Sequence, residues 1–218
     1  DPEQRGDGSY KVLGYKNLDE LRHTIAPYVV RRTRDEVLRD LPPRVDNNFF
    51  VEMTPPQIEA YDGFKETVAR LLALSRRRPL TPKEHTFLLR ALIKMRLICN
   101  ALALHDKDIK PADREKTAPK LRELHHILDE QIASNGHKAI VFSQWELMLD
   151  FAKPILARLN LGYVKLAGSV PTNKRGEIVD RFINERDCRV FLSTDPGGVG
   201  LNLQAADLVI NLDLPWNP

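Results

Sequence analysis

Short apolar runs alternate with amphipathic stretches in the second half of the chain, and this alternation is the strongest constraint on the fold. The runs with the length and composition of buried strands are residues 138–143, 163–166, 189–193 and 208–212. The stretches between them carry apolar residues three and four positions apart, which indicates helices. Strands joined by helical connections predict a parallel sheet with helices on both faces, an α/β fold. Ligands of such sheets bind at the carboxyl ends of the strands, so the loops after Phe142 and Leu192 are the first candidates for a site.

Two similar motifs predict a pair of helices in the first half of the chain. TPPQ from Thr54 and TPKE from Thr81 each place a threonine cap before proline, with Gln or Glu three residues further on. The helices are expected to end near Arg78 and Leu104 and to pack as a hairpin, because each carries a one-sided apolar stripe. Pro119 begins a further helix, which Asn135 and Gly136 should end.

The remaining local patterns are weaker. Residues 18–39 suggest short helical pieces that the Pro42-Pro43 pair stops, and residues 48–53 (NFFVEM) suggest a short strand. Ser143, with Glu146 three residues later, predicts the cap of a helix, and Thr172 predicts another.

Composition excludes several classes of protein. Lys and Arg total 33 against 30 Asp and Glu, a net charge of +3 over 218 residues, so a nucleic-acid site would have to be a local patch. Cys99 and Cys188 each lie in an apolar run, which favours buried thiols in a reducing compartment over a disulfide. The histidines lack metal-ligand spacing, and no apolar run reaches the length of a membrane span. We therefore expect a soluble, intracellular protein, cytoplasmic or nuclear, with neither a metal site nor a membrane partner.

The most distinctive local motif is STDPGGVGLN, residues 193–202, directly after a predicted strand. Gly197, Gly198 and Gly200 require unusual backbone angles or a close approach to a ligand, and a tight crossover loop is an equally good interpretation. The glycines do not form the dinucleotide-binding G-x-G-x-x-G motif, and the chain contains no Gly-Lys pair from which a P-loop could be built.

Taken together, several segments resemble a known family in order and spacing. KAIVFSQWELMLD, YVKLAGSV and FLSTDPGGVGLNLQAADLVINLDLPWNP resemble the second RecA-like lobe of Swi/Snf-type (Snf-two family) DNA-dependent ATPases of helicase superfamily two. YVVRRTRDEVLRDLPPR is similar to the end of that family's first lobe. The resemblance implies three parts: residues 1–50 as lead-in and tail of lobe one, 51–116 as a helical linker or protrusion, and 117–218 as a truncated second lobe.

The resemblance also implies DNA-binding residues. Ser143 and Gln144 match positions near the nucleic acid, although helix capping explains Ser143 equally well. Thr194 matches a threonine that contacts the phosphate backbone, and a hydroxyl beside loop amides suits that task. Trp216 matches an aromatic residue that could stack at DNA or pack on the lobe.

Nucleotide binding is implied for Gly198, Gly200 and Asn202, with closure of a turn as the alternative role of Asn202. Arg175 matches a regularly present arginine that could equally be a solvated helix residue. Two positions depart from the family: Pro196 replaces a small residue and removes a backbone donor, and Ala167 replaces a residue that is often polar.

Phosphoryl transfer depends on positioned positive charge, and the family supplies it from a P-loop, an acidic Mg²⁺ site and an arginine motif. We expect the P-loop, the acidic Mg²⁺ site and the arginine motif to lie outside this chain. ATP and Mg²⁺ would then act in the parent protein, and this chain alone would bind neither of them. We therefore expect no catalytic residue within the chain. The clusters around Arg31 and Arg76 could contact phosphates or be solvated.

The function that the resemblance implies is that of a lobe in an ATP-driven translocase on double-stranded DNA, working with the first RecA-like lobe of the same polypeptide. The alternative is a regulatory or scaffold region that binds nucleic acid or protein without hydrolysis, which Pro196 keeps open. An RNA helicase is disfavoured because GGVGLN and PWNP follow the Snf-two pattern.

Overall fold

The computed structural model describes residues 2–4, 10–12, 14–31, 45–194 and 201–214. The chain divides into two compact units, residues 1–49 and 50–218. The first unit contains strands β1 (Pro2–Gln4) and β2 (Tyr10–Val12), which pair antiparallel, and helix α1 (Leu18–Ile25). Helix α1 confirms the first of the predicted helical pieces, whereas the Pro42-Pro43 stop lies outside the described residues.

The second unit begins with two long helices, α2 (Pro55–Ser75) and α3 (Pro82–Asn100), each preceded by a threonine cap. Both predicted capping boxes form: Gln57 Oε1 accepts from the backbone of Thr54, and Glu84 does the same for Thr81. The apolar stripes of the two helices pack together around Val68, Ala91 and Met95, which confirms the hairpin. The amide of Gln57 is fully buried and donates to Ile98 O at 2.6 Å, so it also ties the start of α2 to the end of α3.

Two predictions in this region are corrected. Residues 45–53 form no regular element, so the predicted strand at 48–53 is wrong; within the described part of the chain nothing pairs with it, and Phe50 is 95% exposed. The helix predicted to run to Leu104 is interrupted at Ala101, whose backbone is extended, and a short helix α4 (Leu102–His105) follows.

A four-stranded parallel sheet follows, as predicted. Its strands are β3 (Ala139–Phe142), β4 (Gly162–Leu166), β5 (Cys188–Ser193) and β6 (Leu208–Asn211), in the order β4-β5-β3-β6. Helix α5 (Pro119–Ile127) precedes β3, whereas α6 (Glu146–Arg158) connects β3 to β4 and α7 (Thr172–Asn184) connects β4 to β5. Helix α5 continues as a π-helix over Leu128–Ser134, and Gly136 follows with φ of 79°, so the predicted stop holds. A 3₁₀ turn at Pro111–Asp113 lies in the preceding polar segment.

Both faces of the central strand β3 are covered, and its successive residues point to opposite sides. Ala139 and Val141 belong to a core shared with α5 and α6, whereas Ile140 packs in a second core with Phe182 of α7. This arrangement confirms the predicted fold class, a RecA-like parallel sheet with helices on both faces preceded by a helical hairpin. In the described residues no helix is long and apolar enough to cross a membrane.

The predicted caps of α6 and α7 are wrong by one or two residues. Trp145 occupies the cap position of α6 and Pro171 that of α7, so Thr172 is already the first helical residue. Ser143 lies two residues before the cap of α6, and its hydroxyl donates to Asp213, which follows β6. Cys99 is half-buried and Cys188 is buried, both as free thiols, and burial raises the pKa of each.

Candidate functional site

The carboxyl ends of the four strands meet at one edge, and backbone hydrogen bonds bring the loops that follow them together. Ser143 N donates to Ser193 O at 3.2 Å, joining the exits of β3 and β5. Thr194 N donates to Leu166 O at 3.2 Å, joining β5 to β4, and Leu212 N donates to Phe142 O at 2.9 Å, joining β6 to β3. Three predicted site residues, Ser143, Gln144 and Thr194, therefore lie at the same edge.

Asp213 organises the loop after β3. Its Oδ2 accepts from the Ser143 hydroxyl at 2.6 Å, and its Oδ1 accepts from Gln144 N at 3.0 Å. Ser143 Oγ in turn accepts from Trp145 N at 3.1 Å. Ser143 is 1% exposed and Asp213 9%, so this is a buried, charge-assisted pair between residues 70 positions apart. The Ser143 hydroxyl donates its hydrogen to Asp213. A direct contact from Ser143 to DNA stays a prediction.

Thr194 directly follows β5 and precedes the glycine-containing segment of the sequence. It is buried, and its backbone carbonyl accepts from the Ser193 hydroxyl at 3.0 Å. The bonds at its amide and carbonyl fix the backbone of Thr194 directly after the end of β5. Its role as a phosphate contact stays a prediction.

The other predicted residues are not brought into this group. Asn202 is exposed, and its Oδ1 accepts from Gln204 N at 3.4 Å, the turn-closing contact of the alternative interpretation. Gly198, Gly200, Pro196 and Trp216 lie outside the described residues.

Arg175, Ala167 and a pair of acidic residues lie on the β4 side of the sheet. Arg175 Nε donates to Val170 O at 3.3 Å, and Ala167 is fully buried.

Lys165 Nζ binds Glu146 Oε1 at 2.9 Å and Asp150 Oδ1 at 2.8 Å. Burial opposes the charge on Lys165, but its hydrogen bonds to Asp150 and Glu146 outweigh burial and raise its pKa. These contacts attach α6 to β4.

Sequence reasoning missed a second group of residues, which joins the helical hairpin to the exit of β6. Lys120 Nζ donates to Asn100 Oδ1 at 2.7 Å and to Leu212 O at 2.8 Å. Burial lowers the pKa of Lys120, and the nearby Asp213 carboxylate opposes that effect. Arg96 Nη2 donates to Leu214 O at 2.5 Å. Nothing in the sequence distinguished Lys120 from a surface lysine in the first turn of a helix.

The described residues contain no clustered set of metal ligands. No group of three or more His, Cys, Asp and Glu side chains within them could hold a metal. The two glycines of the implied nucleotide site fall outside the described residues, and Asn202 is bonded within its own turn.

Family comparisons agree with the resemblance seen in the sequence. A model of the SNF2-related domain matches residues 4–104, and a model of the helicase conserved C-terminal domain matches residues 119–218. The two models together match nearly the whole chain.

Curated relatives point to the same family. The chain is 30% identical to the human TATA-binding protein-associated factor 172 over 98% of its own length and 14% of that protein. It is also 30% identical to the DNA repair and recombination protein RAD26 of Saccharomyces cerevisiae, over 94% of the chain and 19% of the relative. The chain therefore spans less than a fifth of each.

A solved structure shares both fold and sequence. The SWI2/SNF2 ATPase core of Sulfolobus solfataricus in complex with dsDNA is 26% identical, with a TM-score of 0.65 over 89% of this chain and 41% of that one. The chain belongs to the Snf2 family of superfamily-two ATPases, as the motifs of its second half indicated.

Proposed function

We propose that this chain serves as the helical segment and C-terminal RecA-like lobe of an ATP-dependent translocase on double-stranded DNA. The lobe contributes contacts to the DNA backbone and part of the ATP site between two lobes. In this proposal residues 1–50 are the tail of the first lobe, 51–116 the helical linker and 117–218 the second lobe. The first RecA-like lobe is then a partner within the same polypeptide.

The observation that carries the proposal is that the exits of the four strands are joined at the carboxyl edge of the sheet. Ser143, Gln144 and Thr194 come from the ends of two strands, and backbone bonds hold them together at that edge. Gripping a backbone at such an edge is independent of base sequence, which a translocating motor requires. A similar Snf2 ATPase core was solved in complex with dsDNA, which supports duplex DNA as the partner.

The proposal gives each predicted residue a role. Gln144 and Thr194 contact DNA phosphates directly, Ser143 shapes their loop through Asp213, and Trp216 contacts the duplex. Gly198, Gly200 and Asn202 face the nucleotide. ATP and Mg²⁺ are used by the parent protein, with the catalytic lysine and arginines supplied elsewhere, and the 218-residue chain alone does not hydrolyse ATP.

The test is ATP hydrolysis by the parent protein with no nucleic acid, duplex DNA, single-stranded DNA or structured RNA. We expect duplex DNA to stimulate hydrolysis most, and Thr194→Ala to lower that stimulation at least about tenfold, since a positioned phosphate contact is lost. Thr86→Ala is the matched control, because Thr86 is exposed on α3 and bonds only to Pro82 O within the described residues.

Absence of any nucleic-acid response would contradict the translocase and favour the regulatory or scaffold function. Equal loss in Thr86→Ala and Thr194→Ala would contradict the role of Thr194. Hydrolysis by the 218-residue chain above a mock preparation would show that it is catalytic by itself.

A further inference from the structure

Lys120 lies where three parts of the second unit meet. Its ammonium bridges Asn100, the last residue of α3, to the carbonyl of Leu212, which follows β6. Lys120 itself is in the first turn of α5. One side chain therefore joins the hairpin, the lobe and the loop that carries Asp213.

Lys120 is partly buried, and two acceptors occupy its ammonium, unlike that of a solvent-exposed lysine. Asn100 is 2% exposed, and its Nδ2 has no hydrogen-bond partner among the described residues. An ammonium only donates, so Asn100 must turn its oxygen toward Lys120 and leave its own NH₂ unsatisfied. The orientation of Asn100 is thus set by Lys120 at a cost in solvation.

The bond to Leu212 O has a direct consequence for the candidate interface. That carbonyl belongs to the peptide unit between Leu212 and Asp213, so fixing it restricts the backbone from which the Asp213 side chain extends. Asp213 in turn holds the hydroxyl of Ser143 and the amide of Gln144. Arg96 adds a second anchor from α3 at Leu214 O.

We propose that Lys120 is a positioning residue: its bridge from α3 to the exit of β6 holds Asp213 against the Ser143–Gln144 loop and thereby sets the affinity of that edge for DNA. The DNA part of the inference rests on the proposed function. The structural part does not, because it concerns hydrogen bonds within the chain.

The structural part is tested by amide hydrogen exchange, measured by NMR on the 218-residue chain. Lys120→Met removes the donor and keeps the length of the side chain. We expect the exchange rate of the Gln144 amide, divided by that of the Phe191 amide in β5, to rise at least about tenfold. Dividing by a core amide separates local opening from a change in global stability.

Lys138→Met is the matched control. Lys138 Nζ also binds backbone carbonyls, those of Phe182 at 2.5 Å and Glu185 at 3.1 Å, but at the amino end of β3. Its loss should leave the Gln144 to Phe191 ratio within about twofold of the wild type. An unchanged ratio in Lys120→Met, or an equal rise in both variants, overturns the positioning role.

The DNA part is tested by fluorescence anisotropy of a labelled duplex with the same three proteins at fixed salt. We expect Lys120→Met to weaken binding about tenfold and Lys138→Met to leave it within about twofold. If the wild type binds no duplex, the proposed function fails, while the exchange ratio still decides the positioning role. If Lys120→Met binds as tightly as the wild type despite faster exchange, the influence of Lys120 on DNA affinity is overturned.

Discussion

The buried pair between Ser143 and Asp213 allows a quantitative test of how the carboxyl edge is held together. Ser143→Ala removes the donor of a 2.6 Å bond to a carboxylate, and Asp213→Ala removes its acceptor. A hydrogen bond to a charged group contributes about 1.5–3 kcal/mol, and this one is largely shielded from water. We therefore expect each variant to lower the free energy of unfolding by at least about 1.5 kcal/mol.

The two losses should not add, because both variants remove the same bond. A double-mutant cycle from urea unfolding of the wild type, both single variants and the double variant measures their coupling. We expect a coupling energy of at least about 1.5 kcal/mol. Asp213→Asn is the control of matched shape: its amide can accept from Gln144 N and donate to Ser143 Oγ, so it should cost less than Asp213→Ala.

Additive losses, within about 0.5 kcal/mol, would refute the reasoning, since they would mean that Ser143 and Asp213 contribute independently. A loss in Asp213→Asn as large as in Asp213→Ala would also count against it, because the hydrogen-bonding geometry would then be irrelevant.

Two further predictions concern the sheet and the hairpin. Gly162→Ala should lower the free energy of unfolding, measured in urea, by about 1–3 kcal/mol, because a Cβ would overlap the backbone carbonyl of Asp187, whose carbon would lie at 2.9 Å. The matched Gly176→Ala, in an open helical position, should raise the free energy of unfolding by about 1 kcal/mol. Equal effects of the two substitutions would contradict the steric argument. Hydrogen bonds from Arg78, and then from Thr81, lower the pKa of Glu84 from 4.5 to about 2. The stabilisation from Glu84 is therefore full above pH 4.5 and is lost as the pH falls toward 2. An NMR titration of Glu84 should give a midpoint of about 2, and Arg78→Met should raise that midpoint. A wild-type midpoint near 4.5 would contradict the contact with Arg78.

Local sequence signals predicted most of the secondary structure. The capping boxes at Thr54 and Thr81 need only residues three positions apart, so they form as the sequence indicates. All four apolar runs form strands, and β3 and β5 are buried as their composition indicated, whereas the edge strand β6 leaves Val209 exposed. The predicted strand at 48–53 failed because a strand requires a partner, and composition alone does not supply one.

The candidate site was only partly visible in the sequence. The carboxyl ends of β3 and β5 were expected to carry it, and the structure brings Ser143, Gln144 and Thr194 to one edge there. The cap of this helix lies at Trp145, two residues beyond Ser143, whose hydroxyl instead donates to a carboxylate 70 residues away and accepts from Trp145 N. No local pattern contains that information.

By itself, the sequence determined the class of fold, the hairpin and the family, because periodicity, caps and motifs depend on neighbouring residues. The tertiary structure alone decided which side chains cooperate. Lys120 is one of many lysines in the sequence, yet folding places its ammonium between Asn100 Oδ1 and Leu212 O. Asp213 gains its role in the same way, since the parallel sheet brings the exit of β6 beside that of β3. These pairings depend on strand order and on packing between distant segments, which hydrophobic periodicity does not encode.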